Sequence, residues 1–153
     1  GMGTTFKLYF PVASGEPLPE PARSKPVSGD LMGTETVLVV EDDARLRALD
    51  KRILQRYGYT TLVAENAADA RRICAEHSGP IDVVLTDVIM PGGSGRTIGD
   101  WVLEHRPEAK VVYMSGYTEN AIARHGVLEP EIHFLQKPFT SDILARKIRE
   151  VLS

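Results

Sequence analysis

From Thr36 onward, the chain alternates short apolar runs with longer stretches in which apolar residues recur at helical spacing. Five of the runs fit buried strands, over residues 37–40, 61–64, 81–85, 111–114 and 132–135. Each run is followed by a helical stretch, so the sequence predicts five strand–helix units. Alternation of this kind favours a parallel sheet with helices on both faces.

The helices are predicted from apolar faces and from residues that begin or end a helix. One face of the first helix is apolar over Leu46, Leu49, Ile53, Leu54 and Tyr57. Asp43 is expected to cap its start, and Gly58 stands where a C-terminal cap belongs. Further helices are predicted over 67–77, 98–105 and about 119–125, with a last one marked by Leu144, Ile148 and Val151.

The first 35 residues lack this periodicity. Gly1 and Met2 are expected to be an expression remnant, and residues 4–10 alternate in the manner of one strand that has no sheet of its own. Residues 11–35 are rich in proline, serine and glycine, which predicts a linker. The ordered domain is therefore expected over residues 36–153.

Composition and charge narrow the class of protein. The chain is 42% hydrophobic and 25% charged, and no run approaches the roughly 20 apolar residues of a membrane span, so we expect a cytoplasmic globular protein without membrane contact. A net charge of -3 with mixed signs argues against nucleic acid as a partner. The single cysteine, Cys74, excludes an internal disulfide and a cluster of cysteine metal ligands.

Polar residues follow four of the predicted strands at their carboxyl ends. They are Glu41, Asp42 and Asp43 after the first strand, Asp87 after the third, Ser115 and Gly116 after the fourth, and Lys137 and Pro138 after the fifth. In a parallel sheet these ends meet at one edge, where ligands bind. Carboxylates brought together there would either raise one carboxyl pKa or recruit a hard divalent cation, and Mg²⁺ or Mn²⁺ is the favoured choice.

A carboxylate nucleophile, a divalent cation, a lysine and a hydroxyl suit phosphoryl transfer onto aspartate. Taken singly, each residue has a structural explanation. Glu41 and Asp42 could cap a helix, Asp87 could begin a turn, and Lys137 could be a surface charge. The coincidence of all of them at one edge favours the chemical interpretation.

Four segments carry a family resemblance: VLVVEDD, LTDVIMPGGSG, VYMSGY and FLQKPF resemble the signature segments of response-regulator receiver domains, in the same order. The resemblance spans residues 36–153 and implies a CheY-like, doubly wound flavodoxin-like (βα)5 fold with strand order 2-1-3-4-5. It implies that Asp87 is the phosphoacceptor. It also implies that Glu41, Asp42, Asp87 and the backbone carbonyl of Ile89 bind Mg²⁺.

The same resemblance assigns the remaining site residues. Ser115 and Lys137 would hold phosphoryl oxygens, and Phe134 would be the aromatic residue whose rotation is coupled to Ser115. The bond between Lys137 and Pro138 resembles one that is cis in the family. Two departures from the commonest pattern are Glu41, where aspartate is frequent, and Phe134, where tyrosine is frequent.

Several positions around Asp87 are expected to control access to the phosphoryl group. Ile89 and Tyr117 should flank it with apolar bulk, impede water and so slow its loss. Gly116 should leave room for the incoming histidine. Backbone amides near Val88 and Gly116 are expected to receive phosphoryl oxygens.

The segment GTTFKLYFP resembles the final strand of a histidine-kinase ATP-binding domain. The parent would then be a hybrid sensor histidine kinase, and residues 1–10 would combine the expression remnant with that orphan strand. The fragment itself would catalyse only its own phosphorylation and dephosphorylation. Its partners would be the dimerisation and phosphohistidine domain of a histidine kinase or a histidine phosphotransfer protein.

Two other classes of function were weighed. A receiver-like binding module that is never phosphorylated would not need the full acidic set with Lys137. A phosphatase with an aspartyl intermediate would normally place a second aspartate two residues after Asp87, and Ile89 stands there.

Overall fold

The computed structural model describes residues 29–90, 93–116 and 132–153, with isolated positions 4 and 7. Its main element is a five-stranded parallel sheet built from β1 (Thr36–Val40), β2 (Thr60–Ala64), β3 (Val83–Asp87), β6 (Lys110–Ser115) and β7 (His133–Gln136). The strands lie in the order β2-β1-β3-β6-β7. Numbered within this sheet alone, the order is 2-1-3-4-5, so the expected doubly wound fold is confirmed.

In the described part of the chain, four α-helices and one hairpin accompany the sheet. The helices are α1 (Ala44–Arg56), α2 (Ala67–Glu76), α3 (Gly95–His105) and a C-terminal helix (Ser141–Leu152). The hairpin pairs β4 (Ile89–Met90) with β5 (Gly93–Ser94) and was not predicted. The helix predicted near 119–125, Tyr117, linker residues 11–28 and most of segment 1–10 lie outside the described residues. No helix in the described part of the chain has the length and apolar character to cross a bilayer.

Side chains that alternate along the strands fill two cores, one on each face of the sheet. Leu38 and Val84 pack with Ile98 and Val102 of α3 on one face. On the other face the core comprises Val39, Leu85, Leu54, Leu144 and Ile148, which brings in α1 and the C-terminal helix. Full burial of one such side chain contributes roughly 1.5–3 kcal/mol. The central strands are covered on both sides, which explains their continuous apolar runs.

Helix α1 begins and ends as predicted, but only part of its predicted apolar face is buried. The Asp43 carboxylate accepts hydrogen bonds from the amides of Arg45 and Leu46 at 2.7 and 3.2 Å, and Gly58 follows the helix with φ of +90°. Leu46 and Leu49, expected on the buried face, are exposed. They line an open cavity beside the carboxyl ends of the strands, together with Gly116 and Lys137.

Residues 29–35, at the end of the predicted linker, pack on the domain. Leu31 lies in a short 3-10 turn and is buried in the core that contains α1 and the C-terminal helix. Glu35 forms an ion pair with Arg149 of that helix at 2.7 Å. Burial raises the pKa of Glu35, but the hydrogen bond and charge of Arg149 outweigh it and the net pKa is lowered. We call residues 29–35 the entry segment.

Truncating Leu31 should test whether the entry segment belongs to the folded unit. Leu31 is 8% exposed, so Leu31→Ala should lower the free energy of unfolding by about 2 kcal/mol through lost burial and a residual cavity. Met32 is 45% exposed, and Met32→Ala should change it by no more than about 0.5 kcal/mol. Urea unfolding of the two variants makes the comparison. If Leu31→Ala also lowers the free energy of unfolding by no more than about 0.5 kcal/mol, the segment contributes no packing.

Candidate functional site

Three charged side chains meet at the carboxyl edge of the sheet. Glu41 follows β1, Asp87 ends β3 and Lys137 follows β7. The Lys137 ammonium lies 2.6 Å from Glu41 Oε2 and 2.8 Å from Asp87 Oδ2. The exposed fractions of these side chains are 18% for the lysine, 2% for the glutamate and 17% for the aspartate. The expected convergence of the strand ends therefore brings one cation between two shielded carboxylates.

The backbone holds Lys137 in place. Its amide donates to the Ser115 carbonyl at 2.8 Å, which continues the pairing of β6 with β7, and the peptide bond to Pro138 is cis. Burial by itself lowers the pKa of the Lys137 amine. The hydrogen bonds and charges of Asp87 and Glu41 outweigh this effect, so the net pKa is raised. Lys137 is therefore charged at neutral pH.

The amides after Asp87 are already engaged. The Ile89 amide donates a hydrogen bond to Asp87 Oδ1 at 3.1 Å, and Lys137 Nζ donates to the other carboxylate oxygen, Oδ2. The two contacts together hold the carboxylate in place. The Val88 amide donates to the Met114 carbonyl at 2.8 Å. That donor therefore belongs to the contact between β3 and β6. The Ile89 amide, one residue further on, is the donor directed at Asp87.

The structure describes most of the residues that were expected to flank the phosphoryl group or to act as a switch. Ile89 is exposed beside the site, and an added Cβ on Gly116 would meet no atom of the described residues within 4 Å. Ser115 is buried at the end of β6. Phe134 is half-buried, lies in register with Tyr113 and packs against the core on that face. Since residues two apart on a strand share a face, Phe134 and Ser115 lie on the same face of neighbouring strands.

The residues expected to bind a metal can be compared with a magnesium site. Glu41 and Asp87 both direct a carboxylate oxygen at the Lys137 ammonium. A divalent cation would be held by the same arrangement of negative charge. Asp42 is exposed next to Glu41, and Ile89 adjoins this edge. Within ranges 29–90, 93–116 and 132–153, no three acidic, His or Cys side chains already form a metal cluster. The oxygen donor types fit Mg²⁺.

Two residues of this region were not foreseen. Arg47 of α1 donates through its guanidinium to the backbone carbonyl of Glu41 at 2.5 Å and to that of Asp42 at 3.2 Å. Asp50, also on α1, is buried and lines the same cavity as Lys137. Its position, four residues from both Leu46 and Leu54, breaks an otherwise apolar stripe, and this spacing was the available signal.

Comparison with known proteins gives the family. A family model described as the response regulator receiver domain matches residues 37–149. The sensor kinase CckA of Brucella abortus (strain 2308) is 37% identical over 99% of this chain, which spans only 17% of that relative's length. The response regulator receiver protein CpdR of the same organism is 27% identical over 76% of this chain and 95% of its own length.

Solved structures agree with the family model. The receiver domain of the hybrid histidine kinase CckA matches with a TM-score of 0.61 at 32% identity, over 77% of this chain and 99% of that one. The response regulator TrrA of Thermotoga maritima, in complex with Mg(2+)-BeF, matches with a TM-score of 0.66 at 28% identity, over 78% of this chain and 100% of its own. With its fold, its strand-end site and a family match over most of its length, this chain belongs to the response regulator receiver domain family.

Proposed function

We propose that Asp87 accepts a phosphoryl group from a phosphohistidine and that this reaction depends on Mg²⁺. The observation that supports it most directly is the Lys137 ammonium held 2.8 Å from Asp87 Oδ2 and 2.6 Å from Glu41 Oε2. A partly buried cation beside a carboxylate nucleophile prepares the site for an anionic substrate, because charge on the transferring group is stabilised without much reorganisation.

In the proposed reaction, an oxygen of Asp87 forms a bond to phosphorus as the bond from phosphorus to the donor nitrogen breaks. The donor imidazole keeps the electron pair of that bond. Lys137 and the Ser115 hydroxyl then hold phosphoryl oxygens, and the open position of Gly116 admits the donor ring. Glu41, Asp42, Asp87 and the Ile89 carbonyl would hold Mg²⁺. When bound, the ion neutralises negative charge shared by the acceptor and the phosphoryl group.

The same proposal covers the signal that follows. An aspartyl phosphate adds negative charge next to Ser115, and movement of this residue would change the space beside Phe134 on the adjoining strand. Phe134 has no hydroxyl, so its response would depend on packing. The surface after β6 would then change and serve as the output surface. Ile89 would impede water, as proposed for Tyr117, and so slow the loss of the group.

The parent protein and its partners are also proposals. The family model begins at residue 37, whereas the similarity to the sensor kinase CckA extends over 99% of the chain and so includes the segment before the receiver domain. This extension supports an upstream kinase strand in residues 1–10, a linker from residue 11 and a hybrid sensor histidine kinase as the parent. The partners would be a kinase phosphohistidine domain or a histidine phosphotransfer protein, in the cytoplasm.

Intact mass spectrometry tests the acceptor directly. Incubation with acetyl phosphate and Mg²⁺ should add about 80 Da, one phosphoryl group, to the wild-type chain and nothing to Asp87→Asn. The exposed Asp100 of α3 gives a matched control, because Asp100→Asn removes a carboxylate outside the site and should label like wild type. Chelation of Mg²⁺ should abolish the gain.

Two results would contradict this function. Labelling that persists in Asp87→Asn would place the acceptor elsewhere. Failure of the wild-type chain to label with acetyl phosphate, and again with a phosphohistidine donor, would favour a binding module that is never phosphorylated.

A further inference from the structure

Asp50 is a buried acid that the proposed phosphoryl transfer does not use. It lies on α1, is 3% exposed, and its Oδ2 atom has no hydrogen-bond partner among the described residues. An ionised carboxylate that is removed from water without compensating bonds lowers stability. A leucine or alanine at this position would continue the apolar stripe of α1, so the acid is not explained by packing.

The surroundings of Asp50 connect it to the phosphoacceptor. Asp50, Lys137 and Gly116 line one cavity of about 430 Å³. The rest of the lining is apolar and consists of Leu46, Leu49, Pro138 and Phe139. Within the described part of the chain, Asp50 and Lys137 are therefore the two charged groups that line this cavity. Asp50 is 3% exposed and the Lys137 side chain is 18% exposed, so water screens the interaction between them only in part.

The electrostatic coupling extends to Asp87. Burial raises the pKa of Asp50 to about 6, the positive charge of Lys137 opposes this rise, and the negative charges of Glu41 and Asp87 add to it. Interaction between two charges is mutual, so a charge on Asp50 must oppose negative charge at Asp87 as much as Asp87 opposes ionisation of Asp50. At pH above 7, Asp50 is mostly ionised and exerts this effect.

Lys137 has a donor to spare for such a competitor. An ammonium carries three N–H donors, and the contacts within the described residues use two of them, on Glu41 and Asp87. Attachment of a phosphoryl group to Asp87 replaces a carboxylate by an acyl phosphate with about two negative charges. Lys137 would then be drawn toward the phosphoryl oxygens on one side and toward Asp50 on the other.

We propose that Asp50 is a positioning residue that limits phosphorylation of Asp87, because its buried negative charge competes for Lys137 and opposes the charge that the phosphoryl group adds. This inference rests on the proposed function of Asp87. It assigns to α1 a charged group that sets how favourable the phosphorylated state is. Removal of that charge should stabilise the state, whereas removal of a helpful ligand would weaken it.

Beryllofluoride, an anionic phosphoryl mimic, measures this effect at equilibrium. Its dissociation constant in the presence of Mg²⁺ can be obtained by fluorine NMR titration for the wild type, Asp50→Asn and Asp50→Glu. Asparagine keeps the shape of aspartate and removes the charge, so Asp50→Asn should bind about tenfold more tightly. Asp50→Glu restores the charge and should stay close to wild type. Glu76→Gln removes an exposed carboxylate at the end of α2 and should also match wild type.

Each outcome bears on the inference. Equal affinities for wild type and Asp50→Asn would overturn it and leave the acceptor role of Asp87 intact. Tighter binding by both Asp50→Asn and Asp50→Glu would identify a packing effect and also overturn it. If the amide variant does not fold, Asp50→Ala carries the same test of charge. A wild-type chain that binds no beryllofluoride and takes no phosphoryl group would refute the proposed function, and this inference with it.

Discussion

Replacing Lys137 with methionine should lower the free energy of unfolding at pH 7 by about 2–4 kcal/mol. Methionine keeps the length of the side chain and removes the charge that lies between Glu41 and Asp87. The two shielded carboxylates would then face each other without a cation, and leaving a buried charge unpaired is more costly than losing the attraction alone. If Asp87 is the phosphoacceptor, labelling should also slow by about a hundredfold, since a charge that stabilises the phosphoryl group is gone.

The loss of stability in Lys137→Met should depend on pH. Protonation of either carboxylate removes the repulsion, so the difference between Lys137→Met and wild type should shrink as the pH falls. Adding Glu41→Gln to Lys137→Met should recover most of the lost stability at pH 7. Denaturant unfolding over a range of pH makes both measurements. A loss that is the same at every pH and is not recovered by Glu41→Gln would show that Lys137 acts through packing.

Lys147 provides the matched control for this experiment. It forms an ion pair of 2.8 Å with Glu150, as short as that between Lys137 and Asp87, but the Glu150 side chain is 61% exposed. Water screens such a pair, so Lys147→Met should change the free energy of unfolding by no more than about 0.5 kcal/mol. The two lysine side chains are similarly exposed, at 18% and 21%, so the contrast tests the two shielded carboxylates that Lys137 pairs with.

Replacing Gly95 with alanine should lower the free energy of unfolding by about 3 kcal/mol and disturb the site around Asp87. A Cβ added at Gly95 would lie 1.9 Å from the backbone oxygen of Asp87 and 2.9 Å from its carbonyl carbon. The Gly95 amide donates to the Val88 carbonyl at 3.0 Å, so the start of α3 cannot move away without loss of that bond. The clash must therefore displace the backbone that carries the Asp87 carboxylate.

Two comparisons make the Gly95 experiment specific. Alanine favours helices over glycine by about 1 kcal/mol, so any loss appears against an opposing gain. Gly116 also lies at this edge of the sheet, and an added Cβ there meets no described residue within 4 Å, so the free energy of unfolding of Gly116→Ala should stay within about 0.5 kcal/mol of wild type. Urea unfolding and beryllofluoride binding give the two measurements. Unchanged values for Gly95→Ala would mean that the contact with Asp87 relaxes freely.

The sequence allowed the fold to be predicted because each element carries its own periodicity. The third strand shows the limit of this approach, since it was expected over 81–85 and runs from Val83 to Asp87. Ile81 is fully buried, and the amide of Asp82 already bonds to the Thr36 carbonyl, yet neither residue belongs to the strand. Apolar character reports burial, whereas strand limits depend on pairing with neighbours that are distant in sequence.

The site was predictable to the extent that strand ends determine it. The meeting of Glu41, Asp87 and Lys137 follows from parallel topology and from their places after successive strands. The burial of Asp50 and the hydrogen bond of the Val88 amide depend on how α1 and β6 pack against those strand ends. No local sequence pattern predicts such contacts. The same holds for Leu46, whose apolar side chain faces an open cavity.

The entry segment and Asp87 lie at opposite edges of the sheet. Residues 29–35 lead into the amino end of β1 and are bound to the C-terminal helix through Arg149, near the end of that helix. Asp87 ends β3 at the opposite edge of the parallel sheet. Any chain before residue 29 therefore joins the domain at the edge of the sheet opposite the one that carries the Asp87 carboxylate.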